Sequence, residues 1–190
     1  MKLIGLDIDG TLINSRKEIS EKTRVALIKA MKEGHKVVIV TGRPTPGARE
    51  LADILEFKKY GGLLSTYNGG AITDCKENKT LTSHPMDMNL AREIVAFSKD
   101  LDLEIILPYE ETIYSRAKGK SLLEIAEIFD IDQKDIIAFG DEMNDISMIE
   151  MAGVGVAMGN AVPKIKEIAD FITLSNDEDG IAYYLEKFVL

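Results

Sequence analysis

Short apolar runs alternate with longer amphipathic stretches along most of the chain, and this alternation narrows the choice of fold more than any other feature. Residues Lys36–Val40 form a β-branched run, KVVIV, that is short enough for a buried strand. Residues 20–33 instead repeat their apolar side chains at helical spacing, with Ser20 as the expected N-cap and Gly34 as the stop. Strands and helices that take turns favour a parallel sheet with helices on both faces. The sequence therefore predicts an α/β fold with a Rossmann-like parallel sheet.

The same alternation locates the other elements of this sheet. Further strands are predicted at 2–6, 63–66, 135–139, 154–158 and 171–173. Further helices are predicted at 46–55, 121–129, 144–151, 163–169 and 180–188.

The alternation is interrupted after Asn68, where a different pattern begins. The elements predicted there are a hairpin at 71–84, an amphipathic helix at 89–99 and strands at 104–107 and 112–115. We therefore expect a small α+β cap, 69–117, inserted into one α/β core that is formed by 1–68 and 118–190.

The chain is acidic as a whole. It has 190 residues with 23 Lys and Arg against 32 Asp and Glu, which gives a formal net charge of −9. Because the acidic residues are spread along the chain, its surface is poorly suited to hold nucleic acid or anionic lipid. We therefore expect neither a nucleic acid nor a membrane as a partner, and a phosphorylated substrate would need local, directed positive groups.

Two features bear on the cellular compartment. Cys75 is the single cysteine, so no internal disulfide can form, which suits a reducing environment. The apolar start of the chain is interrupted at Asp7 and Asp9, too early for a signal peptide or a membrane span. We expect a cytoplasmic protein.

Polar residues recur at places where the carboxyl ends of parallel strands build a ligand crevice. Asp7 and Asp9 come after the first strand on the same side, and Gly10 permits a sharp turn. Two carboxylates this close repel each other, and Mg²⁺ would relieve the repulsion. One carboxylate would then serve as a nucleophile and the other as a general acid and base. Two aspartates at this spacing, with no other motif beside them, are also typical of a solvated turn.

Two further segments offer groups that bind anions. Thr41 and Gly42 directly follow KVVIV, where a hydroxyl, a backbone N–H and a helix start would form an anion site. The alternative is a turn in which Thr41 caps the next helix. Lys118 precedes a predicted helix, and its ammonium would neutralise both a nucleophile and a phosphoryl group, although most lone lysines are solvated.

A second acidic segment, GDEMND at 140–145, follows the strand at 135–139. Asp141 and Asp145 are separated by one helical turn, so both project toward one side of the crevice if the chain turns helical at once. A helix N-cap needs one Asp and not such a cluster. The segment therefore adds carboxylates to the predicted metal site.

Taken in order, DIDGT at 7–11, TGR at 41–43, the lysine at 118 and GDEMND at 140–145 resemble the four motifs of the haloacid dehalogenase (HAD) superfamily of phosphohydrolases. VAMGNA at 156–161 and the Asp-Gly pair at 179–180 resemble its Cof-type, IIB-like branch, whose cap is inserted between the second and third motifs. The resemblance covers about residues 1–70 and 118–190. It implies an HAD-fold core with a cap that is short for this branch.

The resemblance also implies roles for the motif residues. Asp7 would attack phosphorus to give an aspartyl phosphate, and Asp9 would protonate the leaving alcohol and then activate water. The residues implied to hold the phosphoryl group are Thr41, Gly42 and Lys118, with Asn144 near it.

The implied metal is Mg²⁺. Its ligands would be Asp7, the backbone carbonyl of Asp9, and Asp141, with Asp145 as a further ligand or an outer partner. Lys120 is an alternative to Lys118. The family's lysine is followed by Gly and, shortly after, by a small residue and Leu, which favours Lys118.

The residues and the resemblance together predict a Mg²⁺-dependent phosphatase that acts on a small phosphorylated metabolite, such as a sugar phosphate. A phosphotransferase or phosphomutase would use the same intermediate with another alcohol as acceptor. A receiver-like signalling domain or a non-catalytic phosphate-binding protein is a further alternative. A small cap either leaves the site open or needs a second copy of the chain, in a homodimer, to complete it.

Overall fold

A single sheet organises the fold. The computed structural model describes residues 1–100 and 118–190. In this part of the chain the strands are β1 (Leu3–Leu6), β2 (Lys36–Val40), β3 (Leu63–Thr66), β4 (Ala71–Asp74), β5 (Lys79–Ser83), β6 (Ile136–Gly140), β7 (Val154–Ala157) and β8 (Phe171–Ile172). Their order across the sheet is β5-β4-β3-β2-β1-β6-β7-β8. The six neighbouring strands β3, β2, β1, β6, β7 and β8 run parallel to one another. The predicted α/β fold with a parallel sheet is confirmed.

β1 lies inside the sheet and pairs in parallel with β2 on one side and with β6 on the other. The chain therefore builds the sheet in one direction from β1 to β3 and in the other direction from β6 to β8. In such a sheet, a ligand crevice opens outside the carboxyl ends of the strands where the order changes direction. Here that point lies after Leu6 and Gly140.

Helices cover both faces of the sheet. In the described residues they are α1 (Glu21–Lys32), α2 (Thr45–Ile54), α3 (Phe57–Tyr60), α4 (Met88–Asp100), α5 (Lys118–Ile128), α6 (Ile146–Met151), α7 (Pro163–Ile168) and α8 (Gly180–Phe188). Ser20 caps α1 as predicted, because its hydroxyl accepts a hydrogen bond from the backbone N–H of Thr23 at 3.1 Å. None of the helices in the described residues has the length and apolar character that crossing a bilayer requires.

Alternating side chains of the strands divide the core into two layers. In β2, Val37 and Ile39 face the layer that contains α1, α2 and α8, whereas Val38 and Val40 face the layer that contains α5. All four side chains are fully buried, which explains why this strand is a continuous apolar run. Full burial of a side chain of this kind stabilises the fold by about 1.5–3 kcal/mol.

The predicted hairpin extends this sheet. β4 pairs antiparallel with β3, and β5 pairs with β4, so the hairpin forms the sheet edge and not a separate unit. A short turn at Tyr67–Gly69 returns the chain beside β3, and neighbours in sequence then pair. The division of the chain into 1–68, 69–117 and 118–190 stays a prediction. The strands expected at 104–107 and 112–115 lie outside the described residues.

Two local differences from the predicted elements affect the site. α5 (Lys118–Ile128) includes residues before the predicted start at Ser121, so Lys118 lies on the helix itself. After β6 the chain does not turn helical at once, because Glu142 is extended and a 3₁₀ turn at Met143–Asp145 precedes α6. A tight turn, and not helical spacing, therefore positions the second acidic segment.

Candidate active site

Three carboxylates from distant parts of the sequence meet at the carboxyl ends of β1 and β6. Asp7 continues the strand ladder, since its backbone N–H donates to the carbonyl of Phe139 at 3.2 Å. Asp141 follows β6, and Asp145 closes the turn after it. One carboxylate oxygen from each of Asp7, Asp141 and Asp145 lies within 4.8 Å of the other two, and all three side chains are buried. We call these three residues the acidic cluster.

Lys118 brings a positive charge to the acidic cluster. Its ammonium donates to Asp7 Oδ1 at 2.6 Å and to Asp145 Oδ1 at 2.7 Å, and the residue is only 1% exposed. Lys120, the alternative, lies exposed in the first turn of α5. Because lysine is almost never fully buried without a partner, Lys118 is held in place by its two carboxylates. Lys118 is thus the lysine that reaches the cluster.

The first turn of α5 is tied to the sheet and to α6. The Ser121 hydroxyl donates to the backbone carbonyl of Lys118 at 2.7 Å, and the Ser65 hydroxyl of β3 donates to Ser121 at 2.8 Å. The backbone N–H of Gly119 donates to the Ser147 hydroxyl at 3.1 Å. These bonds fix the backbone from which the Lys118 side chain extends.

Gly10 allows the chain after β1 to pass close to Asp141. Its φ of +79° lies in the left-handed region, and a Cβ at this position would overlap the Asp141 carboxylate. The next residue, Thr11, donates its hydroxyl to Asp141 Oδ1 at 2.6 Å. The motif DIDGT therefore supplies the nucleophile candidate, the turn and a hydrogen bond to the third carboxylate.

Asp145 is bound on both of its carboxylate oxygens. Oδ1 accepts from Lys118, while Oδ2 accepts from the backbone N–H groups of Asp141 at 3.0 Å and Glu142 at 3.1 Å. The side chain is fully buried. Asp145 therefore orients both Lys118 and the backbone that carries Asp141.

Burial opposes the ionisation of two carboxyl groups in the cluster. Burial, reinforced by the charge of Asp145, raises the pKa of Asp7 to about 7 in spite of Lys118. Burial raises the pKa of Asp141 to about 6, against the hydrogen bond from Thr11. Burial favours a lower pKa for Lys118, but the charges of Asp7 and Asp145 outweigh it and raise the pKa of Lys118 above its ordinary value. The charge of Lys118 alone is therefore too small to keep the pKa values of Asp7 and Asp141 in the ordinary range of a carboxyl group.

The chemistry of the donor set fits Mg²⁺. When all groups are ionised, the acidic cluster and Lys118 together leave two negative charges, which one divalent cation offsets. Carboxylate oxygens are the ligands that this hard cation prefers. Three of the four residues predicted as metal ligands are thus within reach of one another, and the fourth, Asp9, was predicted to contribute its backbone carbonyl.

The Asp9 carboxylate points to a different set of partners. It accepts from Arg43 Nε at 3.0 Å, from Arg43 Nη2 at 2.7 Å and from Lys17 Nζ at 3.3 Å. Partial burial favours a higher pKa, but the hydrogen bonds and charges of Arg43 and Lys17 outweigh it and hold the pKa of Asp9 below its ordinary value. A general acid must carry a proton, so in its predicted role Asp9 would have to loosen these contacts before it could donate one.

The predicted phosphate-binding residues lie around the same edge of the sheet. Thr41 is buried at the end of β2, the neighbour of β1, and its hydroxyl accepts from the backbone N–H of Arg43 at 3.1 Å. It does not cap α2, because Pro44 occupies the N-cap position. Gly42 is exposed beside Thr41, and Asn144 is exposed in the turn after β6. Their role in binding phosphate stays a prediction.

Sequence reasoning missed three residues of the site: Thr11, Lys17 and Arg43. Thr11 and Arg43 belong to the motifs DIDGT and TGR, and this membership could have marked them as site residues. Lys17 carried no signal, because its contact with Asp9 depends on the path of the loop after β1. That loop includes a left-handed backbone at Lys17, with φ of 63°.

A sheet of this topology, with a carboxylate cluster and a buried lysine where its order reverses, defines a hydrolase of the HAD class. A model of the haloacid dehalogenase-like hydrolase family matches residues 4–118 and 114–185. The chain belongs to this family, as the motif resemblance predicted. The protein is therefore an enzyme of the hydrolase class, and its fold is the one that this family has.

One relative and two solved structures match this chain over nearly their whole length. A 5-amino-6-(5-phospho-D-ribitylamino)uracil phosphatase, YcsE, of Bacillus subtilis is 31% identical, with 100% of this chain and 96% of that protein covered. A haloacid dehalogenase-like hydrolase of Bacteroides thetaiotaomicron has a TM-score of 0.85 at 28% identity, with 98% of each chain covered. The subclass IIB sugar phosphatase BT4131 has a TM-score of 0.81 at 24% identity, with 99% of each chain covered, and shows the fold alone.

The alignment to YcsE also contains gaps in this chain. It extends over 243 positions and includes all 190 residues, so at least 53 positions face no residue of this protein. The family model matches in two segments that meet at 114–118.

Proposed function

We propose that the protein is a Mg²⁺-dependent phosphatase that hydrolyses a phosphate monoester of a small metabolite through an aspartyl phosphate on Asp7. The observation that carries this proposal is the Lys118 ammonium, buried between Asp7 and Asp145 at the carboxyl end of the central strand. Such an arrangement holds a carboxylate nucleophile beside a fixed positive charge. Phosphoryl transfer requires that combination more than it requires any other side-chain chemistry.

The acidic cluster would hold the metal ion. Its carboxylates, together with the backbone carbonyl of Asp9, form an oxygen-only ligand set. Mg²⁺ bound there supplies positive charge to the phosphoryl oxygens and to the acidic cluster. The raised pKa values of Asp7 and Asp141 support this assignment, because a cation would stabilise both carboxylates in their ionised form.

The reaction consists of two displacements at phosphorus. In the first, an Asp7 oxygen forms a bond to phosphorus while the bond from phosphorus to the leaving oxygen breaks, and Asp9 donates its proton to that oxygen. In the second, Asp9 takes a proton from water, the water oxygen bonds to phosphorus, and the bond to Asp7 breaks. Inorganic phosphate leaves, and Asp7 is regenerated.

The remaining residues would position the phosphoryl group. The residues proposed to hold its oxygens are Thr41, Gly42, Lys118 and Asn144. Lys118 also offsets the charge of Asp7 as the two anions approach each other, which lowers the barrier to attack. The net charge of −9 is compatible with an anionic substrate, because Lys118 places a positive charge inside the crevice and a bound metal ion would add to it.

The substrate class follows from the relatives and from the cap. The names of the relatives include a ribitylaminouracil phosphatase and a sugar phosphatase, both of which act on small phosphorylated metabolites. We assign a sugar phosphate or a similar metabolite to this protein. Gaps of at least 53 positions in the alignment to YcsE, and a family match divided at 114–118, support a shortened cap in 69–117.

Two further parts of the proposal concern the setting of the enzyme. A short cap covers little of the site, so a second copy of the chain would complete it in a homodimer. The lone Cys75, half-buried, suits the reducing cytoplasm. Size-exclusion chromatography with light scattering tests the dimer, and a monomeric mass for the active enzyme would contradict it.

The function is tested with a panel of phosphorylated sugars, nucleotides, phosphoglycolate and pyridoxal phosphate, assayed for phosphate release with added Mg²⁺. We expect hydrolysis of at least one ester, and loss of it when EDTA replaces the metal. Transfer of labelled phosphate to an added alcohol, above the hydrolysis background, would instead identify a phosphotransferase. Absence of both products with every ester would contradict the proposal.

A further inference from the structure

We infer that the leaving alcohol of the substrate occupies a groove in the core itself, beside Asp9, and that this alcohol is uncharged and carries an apolar part. The inference rests on the proposed function and adds a substrate class to it. The groove has a volume of about 520 Å³ and lies between the loop after β1 and the exposed side of α2. A cavity of this size is large enough to hold a metabolite.

The position of the groove points to the leaving group. Lys17 and Arg43 line the groove, and both donate hydrogen bonds to the Asp9 carboxylate. The groove therefore adjoins Asp9, the residue proposed to exchange a proton with the leaving oxygen. The part of the substrate attached to that oxygen must lie next to Asp9 when the proton is transferred.

The aliphatic side chains of the lining indicate an apolar ligand surface. They are Ile13, Ile19, Leu51 and Ile54. Ile13 and Leu51 are buried in the core, so Ile19 and Ile54 supply most of the apolar surface. Ile54 is 41% exposed at the last residue of α2, so its side chain is available to a ligand. A polyol surrounded by water gains little from such contacts, whereas a ring or a branched alkyl group gains by leaving water.

The charges of the lining indicate an uncharged leaving group. Lys17 and Arg43 carry two positive charges, and the single negative charge of Asp9, which contacts both, offsets one of them. Glu18 and Glu50 add two carboxylates to the described lining, and Arg16 is 3.5 Å from Glu18. With Asp9 and Arg16 included, the charges in and around the described lining sum to zero, so the groove has no excess positive charge to hold a second phosphate, which disfavours bisphosphates.

Arg43 adds a planar surface to one end of the groove. Two hydrogen bonds to the Asp9 carboxylate, at 3.0 and 2.7 Å along one edge of the guanidinium, fix its orientation. A guanidinium fixed in this way can stack on a flat ring of the ligand. The groove thus offers aliphatic contacts along α2 and a stacking surface next to the general acid.

The test uses two primary alkyl esters that differ in one respect, 2-phenylethyl phosphate and 2-hydroxyethyl phosphate, assayed with Mg²⁺. The wild type is expected to favour the phenyl ester by about tenfold or more in kcat/KM. Ile54→Glu should bring this ratio close to one, mainly through the KM of the phenyl ester. Ile54→Gln, which is polar but adds no charge, should also lower the ratio relative to the wild type.

Ile128→Glu is the matched control, because Ile128 is also the last residue of its helix and is 43% exposed. It should keep the ratio of the wild type. An unchanged ratio in both Ile54 variants would overturn the groove assignment while leaving the phosphatase intact. If the wild type hydrolyses neither of these esters nor any in the metabolite panel, the proposed function fails and the leaving-group assignment fails with it.

Discussion

Asp7 lies in surroundings that oppose its ionisation, although its proposed role as a nucleophile requires the ionised form. Burial raises its pKa to about 7, and the neighbouring charge of Asp145 acts in the same direction. Lys118, at 2.6 Å, offsets only part of this effect. The residue is therefore poised to gain reactivity when further positive charge enters the site.

Replacement of the proposed nucleophile gives the sharpest test at the scale of single residues. Asp7→Asn keeps the shape of the side chain, but its amide cannot attack phosphorus, so hydrolysis should fall by roughly 10⁴-fold or more. Phosphate release with Mg²⁺ measures the effect, and circular dichroism checks that the fold is intact. Asp53→Asn, on the exposed side of α2, should retain full activity. Metal-dependent turnover by Asp7→Asn above background would rule out this role.

Lys118 is expected to contribute more to the transition state than to the ground state. Lys118→Ala should lower kcat by about 10²–10³, which corresponds to about 3–4 kcal/mol for a lost donor in a buried site. Lys120→Ala changes an exposed lysine in the same helical turn and should have little effect. Steady-state kinetics of both variants decide the matter. If Lys120→Ala is the more damaged enzyme, the lysine is assigned to the wrong position.

Cys75 should be a slow nucleophile in the folded protein. Burial raises the pKa of its thiol to about 11, from an ordinary 9.0, so the thiolate fraction at neutral pH falls by roughly a hundredfold. Alkylation by iodoacetamide, followed by mass spectrometry, should be correspondingly slower in the native protein than in urea. Equal rates in the two conditions would show that the thiol is not protected.

Site residues were predictable from sequence where a strand fixed their place. Asp7 and Asp141 follow short buried strands, and parallel pairing brings the ends of these strands together. The contact of Asp9 with Arg43 was not predictable. Alternation along an extended strand placed Asp9 beside Asp7, but the chain leaves the strand direction before Gly10, and the carboxylate turns to other partners.

At the scale of elements, α5 is the helix that holds the catalytic lysine candidate, and it packs closely on its neighbours. A Cβ at Gly5 of β1 would lie 2.8 Å from the Leu122 side chain, so the glycine lets α5 approach the sheet. A Cβ at Gly119 would overlap the backbone carbonyl of Ser147 in α6. Small residues thus set the distance between α5, the sheet and α6.

A methyl group at Gly119 should therefore disturb both packing and activity. Gly119→Ala is expected to destabilise the protein by about 1–3 kcal/mol, because backbone atoms of α6 have to move. Gly47→Ala is a suitable control, since its nearest neighbours would lie at 3.8 Å and the change should stabilise α2 by about 0.4–1 kcal/mol. Urea unfolding of both variants measures the difference. A Gly119→Ala protein as stable as the wild type would contradict this packing.

Element boundaries show where local patterns were insufficient. The strand at 36–40 and the helix at 180–188 were predicted with the bounds that the structure has, since apolar runs and Gly180 mark them. α5 was predicted to begin too late, because Gly119 weakens the local helix signal. Its first residues are also held by hydrogen bonds with Ser65 and Ser147, which lie far away in the sequence and leave no local signal.

For the whole molecule, the acidic cluster exists only when the sheet is assembled. The pairing of β1 with β6 brings Asp7 and Asp141 together. Lys118 belongs to α5, which covers the face of the sheet opposite to α1, α2 and α8. An unfolded chain has no such site, so a metal ion that binds the cluster stabilises the folded state. The free energy of unfolding should therefore depend both on metal binding and on pH.

The metal-free protein should lose stability from these carboxyl groups as the pH rises. The folded pKa values of about 7 for Asp7 and about 6 for Asp141 lie above the ordinary 3.8, so the folded state binds more protons. Their stabilising contribution is fully present below about pH 3.8 and is lost as the pH rises through about 6 to 7. Mg²⁺ competes with these protons, so it binds weakly at low pH and restores stability at high pH.

Thermal unfolding with MgCl₂ and with EDTA should therefore differ more at about pH 8 than at about pH 5. At a concentration 100 times the Kd, the added stability should be about 2.7 kcal/mol. Asp141→Asn removes one carboxylate and should reduce the Mg²⁺-induced shift, whereas Asp53→Asn, far from the cluster, should keep it. A shift of the same size at both pH values would show that Mg²⁺ does not bind through Asp7 and Asp141.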